Sequence, residues 1–294
     1  MPDNIINFTT HALGDNIAFS PYADLYQKKH GGKVYVKTKW HNIIKSNNPD
    51  VIFVDIGFNI PNAVVKNVDF IFQRGPLQKI ICDQLQIEYK EIRPSINTES
   101  KYSFNKKKKY VCIGIQSTAQ LKYWNLNDGW EKLTKYIKDK GYDVYCIDKD
   151  EVFGTKEKWN RMPHNARNET GNHPIEYRIQ QLKNCQFYIG VSSGLSWLAW
   201  ALGKKVVLVS GCTDENNEFS EDCYRVINKN VCHGCLNDPA INNTVGIKSG
   251  WMYCPRNKNF ECTKKISLDD VKIAVNKCIY DIDSQTDLKH NTLQ

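Results

Sequence analysis

Asp15 closes the stretch THALGD (10–15), where an apolar strand gives way to a helix. A carboxylate at such a junction has two readings. It can cap the helix and complement its positive end, or it can face a ligand cleft and act as a general base. It does not belong to a dinucleotide fingerprint, because G-x-G-x-x-G is absent. A second polar turn, GIQSTAQLKYW (114–124), carries Gln116, Ser117, Thr118 and Lys122. Hydroxyls, backbone N–H groups and an ammonium suit a diphosphate, although the Walker glycines are missing and a solvated lysine is the bland alternative. A third, GVSSGLSWLAWALG (190–203), delivers Ser192, Ser193 and Gly194 to a helix mouth. That pattern is an anion site, most simply for a nucleotide diphosphate, or else a plain N-cap.

CIDKDE (146–151) places Asp148 after a strand. It reads as an acceptor for a ribose or sugar hydroxyl, or as a surface carboxylate; its Asp-x-Asp is too common to establish a metal site. His11, His164 and His173 sit in polar loops with no hydrolase elbow beside them and read as loop histidines without a task. Cys232 and Cys235, in CHGC, are followed by Cys254 and Cys262, giving C-x2-C-x18-C-x7-C. Two thiol pairs at this spacing fit a tetrahedral four-sulfur metal site better than a redox pair, which would open a helix after an early strand. The spacing leaves zinc and iron open, since both accept four thiolates.

The elements that must position these residues alternate between strand and helix. NIINF (4–8) is an apolar strand, a helix runs from about Asp15 to His30 and ends at Gly31-Gly32, and KVYVKT (33–38) and DVIFVDI (50–56) are further strands. After the lysine run NKKKKY (105–110) the scheme restarts. YVCIGIQS (110–117), YDVYCID (142–148), QFYIGVS (186–192) and KKVVLVSG (204–211) are strands. Helices over 127–141, 174–185 and 193–203 separate them, and a last helix over 266–279 opens with Ser267 and Asp270 in a capping-box arrangement. The pattern predicts two Rossmann-like halves of parallel sheet, with ligands at the carboxyl ends of the strands.

At 294 residues with 41% apolar content, the chain can bury a full core, so disordered and fibrous classes are excluded. No apolar run approaches the ~20 residues of a membrane span. The start MPDNIINFTT lacks the features of a signal peptide, which points to a cytoplasmic, reducing setting. Eleven cysteines in that setting are thiols or metal ligands rather than a disulfide framework. The net charge of +8 has one cluster, the lysine run, and no nucleic-acid motif accompanies it.

With these residues assembled, the chain resembles the bacterial autotransporter heptosyltransferases, protein O-heptosyltransferases related to the enzymes of lipopolysaccharide core synthesis. The matching blocks include THALGDNIAFSPY, GIQSTAQLKYWN, GYDVYCIDK, ETGNHPIEYRIQQL, GVSSGLSWLAWALGKKVVLVSG, CHGCLND and CPRNKNFECTKKI. The resemblance implies a GT-B fold, an ADP-heptose donor, and inverting transfer onto Ser or Thr hydroxyls of a protein acceptor, an autotransporter passenger. It implies a structural ferric ion, Fe(3+), on Cys232, Cys235, Cys254 and Cys262, and a possible homo-oligomer. Asp15 matches the catalytic base; Ala12, Leu13 and Gly14 match the loop against the donor. Lys122 matches the diphosphate lysine, beside Gln116, Ser117 and Thr118. Ser192, Ser193, Gly194 and Leu195 match the second diphosphate loop. The family carries an extra N-terminal region, associated with assembly and acceptor grip, whereas here the Rossmann strand starts within the first few residues.

The organisation expected is an N-terminal domain over 1–104 carrying the base, a nucleotide-sugar domain over 105–280 with a metal finger over 232–262, and a polar tail over 281–294. With Lys122 and the helix mouth on the diphosphate, no catalytic divalent metal is needed. Two rival readings stand beside this one: a glycosyltransferase acting on lipopolysaccharide core or another glycan, and a non-catalytic nucleotide-binding protein with a metal finger.

Overall fold

The computed structural model describes residues 3–155, 158–241 and 252–291. The first half contains β1 (Asn4–Phe8), β2 (Val34–Lys37), β3 (Ile44–Lys45), β4 (Val51–Val54), β5 (Val64–Val68) and β6 (Ser95–Ile96). The second contains β7 (Tyr110–Gly114), β8 (Asp143–Cys146), β9 (Val152–Thr155), β10 (Lys158–Arg161), β11 (Arg167–Asn168), β12 (Tyr188–Val191), β13 (Val206–Val209) and β14 (Cys223–Val226). The helices that matter to the site are α1 (Leu13–Phe19), α2 (Tyr22–His30), α3 (Leu77–Leu85), α4 (Gly129–Asp139), α5 (Ile175–Asn184) and α6 (Gly194–Ala201).

Two parallel sheets dominate. The larger runs β11-β8-β7-β12-β13-β14 and the smaller β4-β2-β1-β5; β3-β6 and β9-β10 form separate two-stranded antiparallel pieces. Counted in chain order, the larger sheet has the 3-2-1-4-5-6 order of a dinucleotide-type doubly wound fold. The smaller is its first four strands. In each sheet the order reverses beside the first strand, and at that point adjacent loops diverge and leave a crevice. Both crevices open toward each other. The architecture is α/β and GT-B-like, as expected.

Several local predictions change. The single helix over 15–30 is two, α1 and α2, because Pro21 has no N–H to donate to Ile17. The Ser20 hydroxyl takes that carbonyl instead, at 2.9 Å. Strands β5 and β14, helix α3 and the β9-β10 hairpin had no element assigned to them, and the last helix runs over Leu268–Asn291, so most of the expected tail is helical.

The halves do not have separate cores. Ile6, Phe8, Ile17 and Phe19 of the first half share one buried cluster with Tyr188, Trp197, Leu198 and Trp200 of the second. Helix α6 packs directly on α1. A second cluster lies on the other face of the large sheet, under α4 and the last helix. Among the described residues no helix is long and apolar enough to cross a membrane.

Candidate active site

The loops at the two crevices enclose one cleft of about 810 Å³. All thirteen residues expected in catalysis and donor binding line it: Ala12, Leu13, Gly14, Asp15, Gln116, Ser117, Thr118, Lys122, Asp148, Ser192, Ser193, Gly194 and Leu195. They come from four separate loops, so their convergence follows from the topology of the two sheets.

Asp15 is the third residue of α1 rather than its cap. One carboxylate oxygen, Oδ2, accepts the Thr10 hydroxyl at 2.9 Å. Burial raises its pKa above the ordinary carboxylate range, while the Thr10 hydrogen bond and the charge of Lys122 pull it back. Lys122 ends the short 3-10 turn Gln120–Lys122. It faces Asp15 from the second half, at the opposite wall.

Helix α6 opens at Ser193, and its first N–H groups, on Gly194 and Leu195, have no intrahelical acceptor. They point with the helix dipole into the cleft, where an anion would meet them. Gly194 has no side chain because α1 leaves no room for one: an ideal Cβ there would lie 2.9 Å from Leu13 Cβ.

Three of the expected donor-binding side chains also have partners within the protein. Asp148 is buried and accepts the N–H groups of Ile115 and Gln116, at 2.7 and 3.3 Å, so it anchors the turn after β7. Burial pushes its pKa up to about 6, against these hydrogen bonds and the nearby Arg178. Gln116 Nε2 donates to Asp150 O at 2.6 Å. The Ser192 hydroxyl donates to the buried Glu218, which is also paired with Arg225. Each polar atom is buried, and an unpaired buried polar atom is costly, so the protein supplies the partner itself.

The cleft also contains residues with no site role in the sequence reading. Trp40, Phe70 and Phe72 make an apolar wall on the first half, and Phe153 stands on the β9-β10 hairpin opposite. His173 lines the cleft and lies tilted against Tyr177 with ring centroids 4.9 Å apart, which gives one loop histidine a place in the site. Arg178 sits beneath, its guanidinium donating to Asp148 O, Gly171 O, Glu169 O and Gln181 Oε1. A single arginine inside a helical pattern has no signal that separates it from a surface charge.

The four-sulfur site is not assembled. Cys235 and Cys262 are buried and Cys232 and Cys254 half-buried, but among the described residues no group of three or more His, Cys, Asp or Glu is arranged to hold a metal ion. The thiols have other partners: Cys232 bonds to Glu261, and Cys254 Sγ accepts Lys258 N–H at 3.3 Å. Part of the expected finger, 242–251, lies outside the described residues. The finger segment still has a defined place, because Cys235 and Phe260 pack with Cys212, Ala119 and Leu121 beneath the Lys122 turn.

Comparison with known proteins agrees with this geometry. The model of the family described as glycosyltransferase family 9 (heptosyltransferase) matches residues 54–238. The autotransporter heptosyltransferase BAHTCr of Citrobacter rodentium is 32% identical over 90% of this chain and 68% of its own. TibC of Escherichia coli O78:H11, an autotransporter heptosyltransferase, is 32% identical over 93% of this chain and 70% of its own. The crystal structure of TibC, an iron-containing dodecameric glycosyltransferase, superposes with a TM-score of 0.85 at 30% identity, covering 96% of this chain and 77% of that one. TibC has also been crystallised in complex with ADP-D-β-D-heptose. The lipopolysaccharide heptosyltransferase II of E. coli shares the fold, with a TM-score of 0.62 at 12% identity over 95% of this chain and 99% of that one. This chain belongs to glycosyltransferase family 9, the heptosyltransferases, and within it to the autotransporter heptosyltransferases.

Proposed function

We propose that the protein transfers heptose from ADP-heptose to Ser or Thr hydroxyls of an autotransporter-type acceptor, with inversion, and that Asp15 is the base. One observation carries this reading: a partly buried carboxylate and an anion-ready helix mouth share one cleft, brought together by the contact of α1 with α6. TibC, which binds ADP-D-β-D-heptose, supports the donor. The family supports the acceptor class.

In the reaction, Asp15 takes the proton of the acceptor hydroxyl as its oxygen bonds to the anomeric carbon from the face opposite ADP. The anomeric C–O bond to the diphosphate breaks, and its electron pair leaves with ADP. Lys122 and the N–H groups of Gly194 and Leu195 stabilise the charge that gathers on the departing diphosphate. A raised pKa makes Asp15 a stronger proton acceptor than an exposed carboxylate.

Cys232, Cys235, Cys254 and Cys262 would hold an iron ion. Their donor chemistry fits a four-thiolate site, and burial above all, then the charges of Cys212, Cys232, Cys235 and Cys254, raises the pKa of Cys262, which puts these thiols in one region of the fold. A bound cation would favour the thiolates and would cross-link the segment as a structural site. A reducing, cytoplasmic location belongs to the same reading, since eleven cysteines stay thiols or metal ligands there. The dodecameric TibC supports a homo-oligomer.

The test is intact-mass detection of transfer from ADP-heptose to a Ser/Thr-rich autotransporter fragment, with Asp15→Asn alongside. Heptose gain with wild type alone supports donor, reaction and base together; wild-type turnover by the variant sinks the role of Asp15.

A further inference from the structure

Asn16, the neighbour of Asp15, is fully buried, which is unusual for a polar residue on the first helix of a cleft. Its Nδ2 donates to Thr10 O at 2.9 Å and to Ala12 O at 2.8 Å. Its Oδ1 accepts the hydroxyl of Thr38, also buried, at the end of β2. Thr38 Oγ1 in turn accepts the Trp40 N–H at 3.1 Å, and Trp40 Nε1 donates to His11 O at 3.0 Å. Three consecutive carbonyls, of Thr10, His11 and Ala12, are therefore held by side chains. That leaves the Thr10 hydroxyl a fixed position. It accepts the Ala12 N–H at 3.2 Å and donates to Asp15 Oδ2 at 2.9 Å, while Asp15 Oδ1 has no hydrogen-bond partner among the described residues.

We propose that Thr10 is the positioning residue of the base: it occupies Oδ2 so that Oδ1 meets the acceptor hydroxyl, and the Asn16–Thr38–Trp40 brace keeps Thr10 in place. This rests on Asp15 being the base. The brace is built before any ligand arrives, as preorganisation requires. The charged group facing Asp15 is Lys122. Helix α6 brings none; on α3, Lys79 and Asp83 pair with each other at the surface; beyond the brace, Lys39 lies over the Trp40 ring.

The experiment compares Thr10→Val, Thr10→Ser and Asp15→Asn, reading kcat, donor KM, the pH profile of kcat, and the Asp15 carboxyl titration by carbon NMR. Thr10→Val is expected to lower kcat by roughly tenfold to a hundredfold with donor KM little changed. Its acid limb and the Asp15 titration should both move to higher pH, because a hydrogen bond to the ionised form is lost. Thr10→Ser should restore all three. A Thr10→Val enzyme with wild-type kcat and titration overturns the proposal while leaving Asp15 as base, and so does a Thr10→Ser variant as impaired as Thr10→Val. Full turnover in Asp15→Asn overturns the base and this proposal with it. Without detectable transfer by wild type, the carboxyl titration still decides the arrangement.

Discussion

Gly194, at the mouth of α6, packs against Gly14, near the mouth of α1, with no room for a side chain between them. A Cβ on Gly194 would lie 2.9 Å from Leu13 Cβ and 3.2 Å from the Gly14 nitrogen; one on Gly14 would lie 3.3 Å from Gly194 Cα and 3.2 Å from Trp197. Two helix mouths from different sheets thus touch backbone to backbone, and that contact sets the separation between the base and the helix mouth that would bind the diphosphate. Gly194→Ala is expected to destabilise the fold by about 1–3 kcal/mol, since backbone cannot yield as a flexible side chain does. Thermal unfolding measures this, and kcat should fall further than the loss of folded protein explains. An Ala variant with unchanged stability and turnover would contradict the contact.

Asp15→Asn should reduce transfer by at least roughly a hundredfold while ADP affinity, read by calorimetry, stays within about threefold. The amide keeps the shape and cannot take a proton.

The pH profile should reflect the same residue. As the proposed base Asp15 would act ionised, and burial raises its pKa, so kcat is expected to fall with decreasing pH along a limb above the ~4 of an ordinary carboxylate. Lys122 holds that pKa down; Lys122→Gln should therefore move the limb upward and weaken ADP binding as well. A limb unmoved by Lys122→Gln would separate the two groups electrically.

Asp148 makes a prediction about stability. Burial pushes its pKa up to about 6 in the folded protein from 3.8 for a free carboxyl, so the folded state holds the proton more tightly. The resulting stabilisation is present below the unfolded value and is lost as pH rises through about 6. The cost of ionising it is of the order of 3 kcal/mol. Comparing wild type with Asp148→Asn, the wild-type advantage in unfolding free energy should shrink between about pH 4 and pH 7. A constant difference would show that Asp148 does not titrate in that window.

The cysteine segment predicts a coupling between metal and donor. Because Cys235 and Phe260 pack beneath Ala119 and Leu121, loosening that segment should release the turn that ends in Lys122. Purified protein is expected to carry about one iron per chain by elemental analysis, and Cys235→Ser to lose it. Chelation should lower the unfolding temperature and weaken ADP binding together. Tight ADP binding by metal-free protein would uncouple the two.

Much of this site was legible in the chain. The polar turns around Asp15, Lys122 and Ser193 each follow an apolar strand and precede a helical pattern, and local periodicity reports such junctions directly. Strands β5 and β14 were not legible: VVKNV and CYRV are short, and at the sheet edges their exposure follows no strict alternation. Trp40 and Arg178 carried no signal either, since an aromatic or a lone arginine looks the same in a core, on a surface or in a cleft. The break at Pro21 was visible as a residue, yet the apolar pattern on both sides of it read as one helix.

By itself the sequence determined the types of the main elements around the site, the loops able to hold an anion or move a proton, and the family, because each of these depends on residues near one another in the chain. Only the tertiary structure decided that four distant loops share one cleft, that Gly14 and Gly194 meet, and that Asp148 and Ser192 turn inward to protein partners. Those outcomes depend on how two sheets pack and on where burial leaves a polar atom without water, and neither is a property of any local stretch.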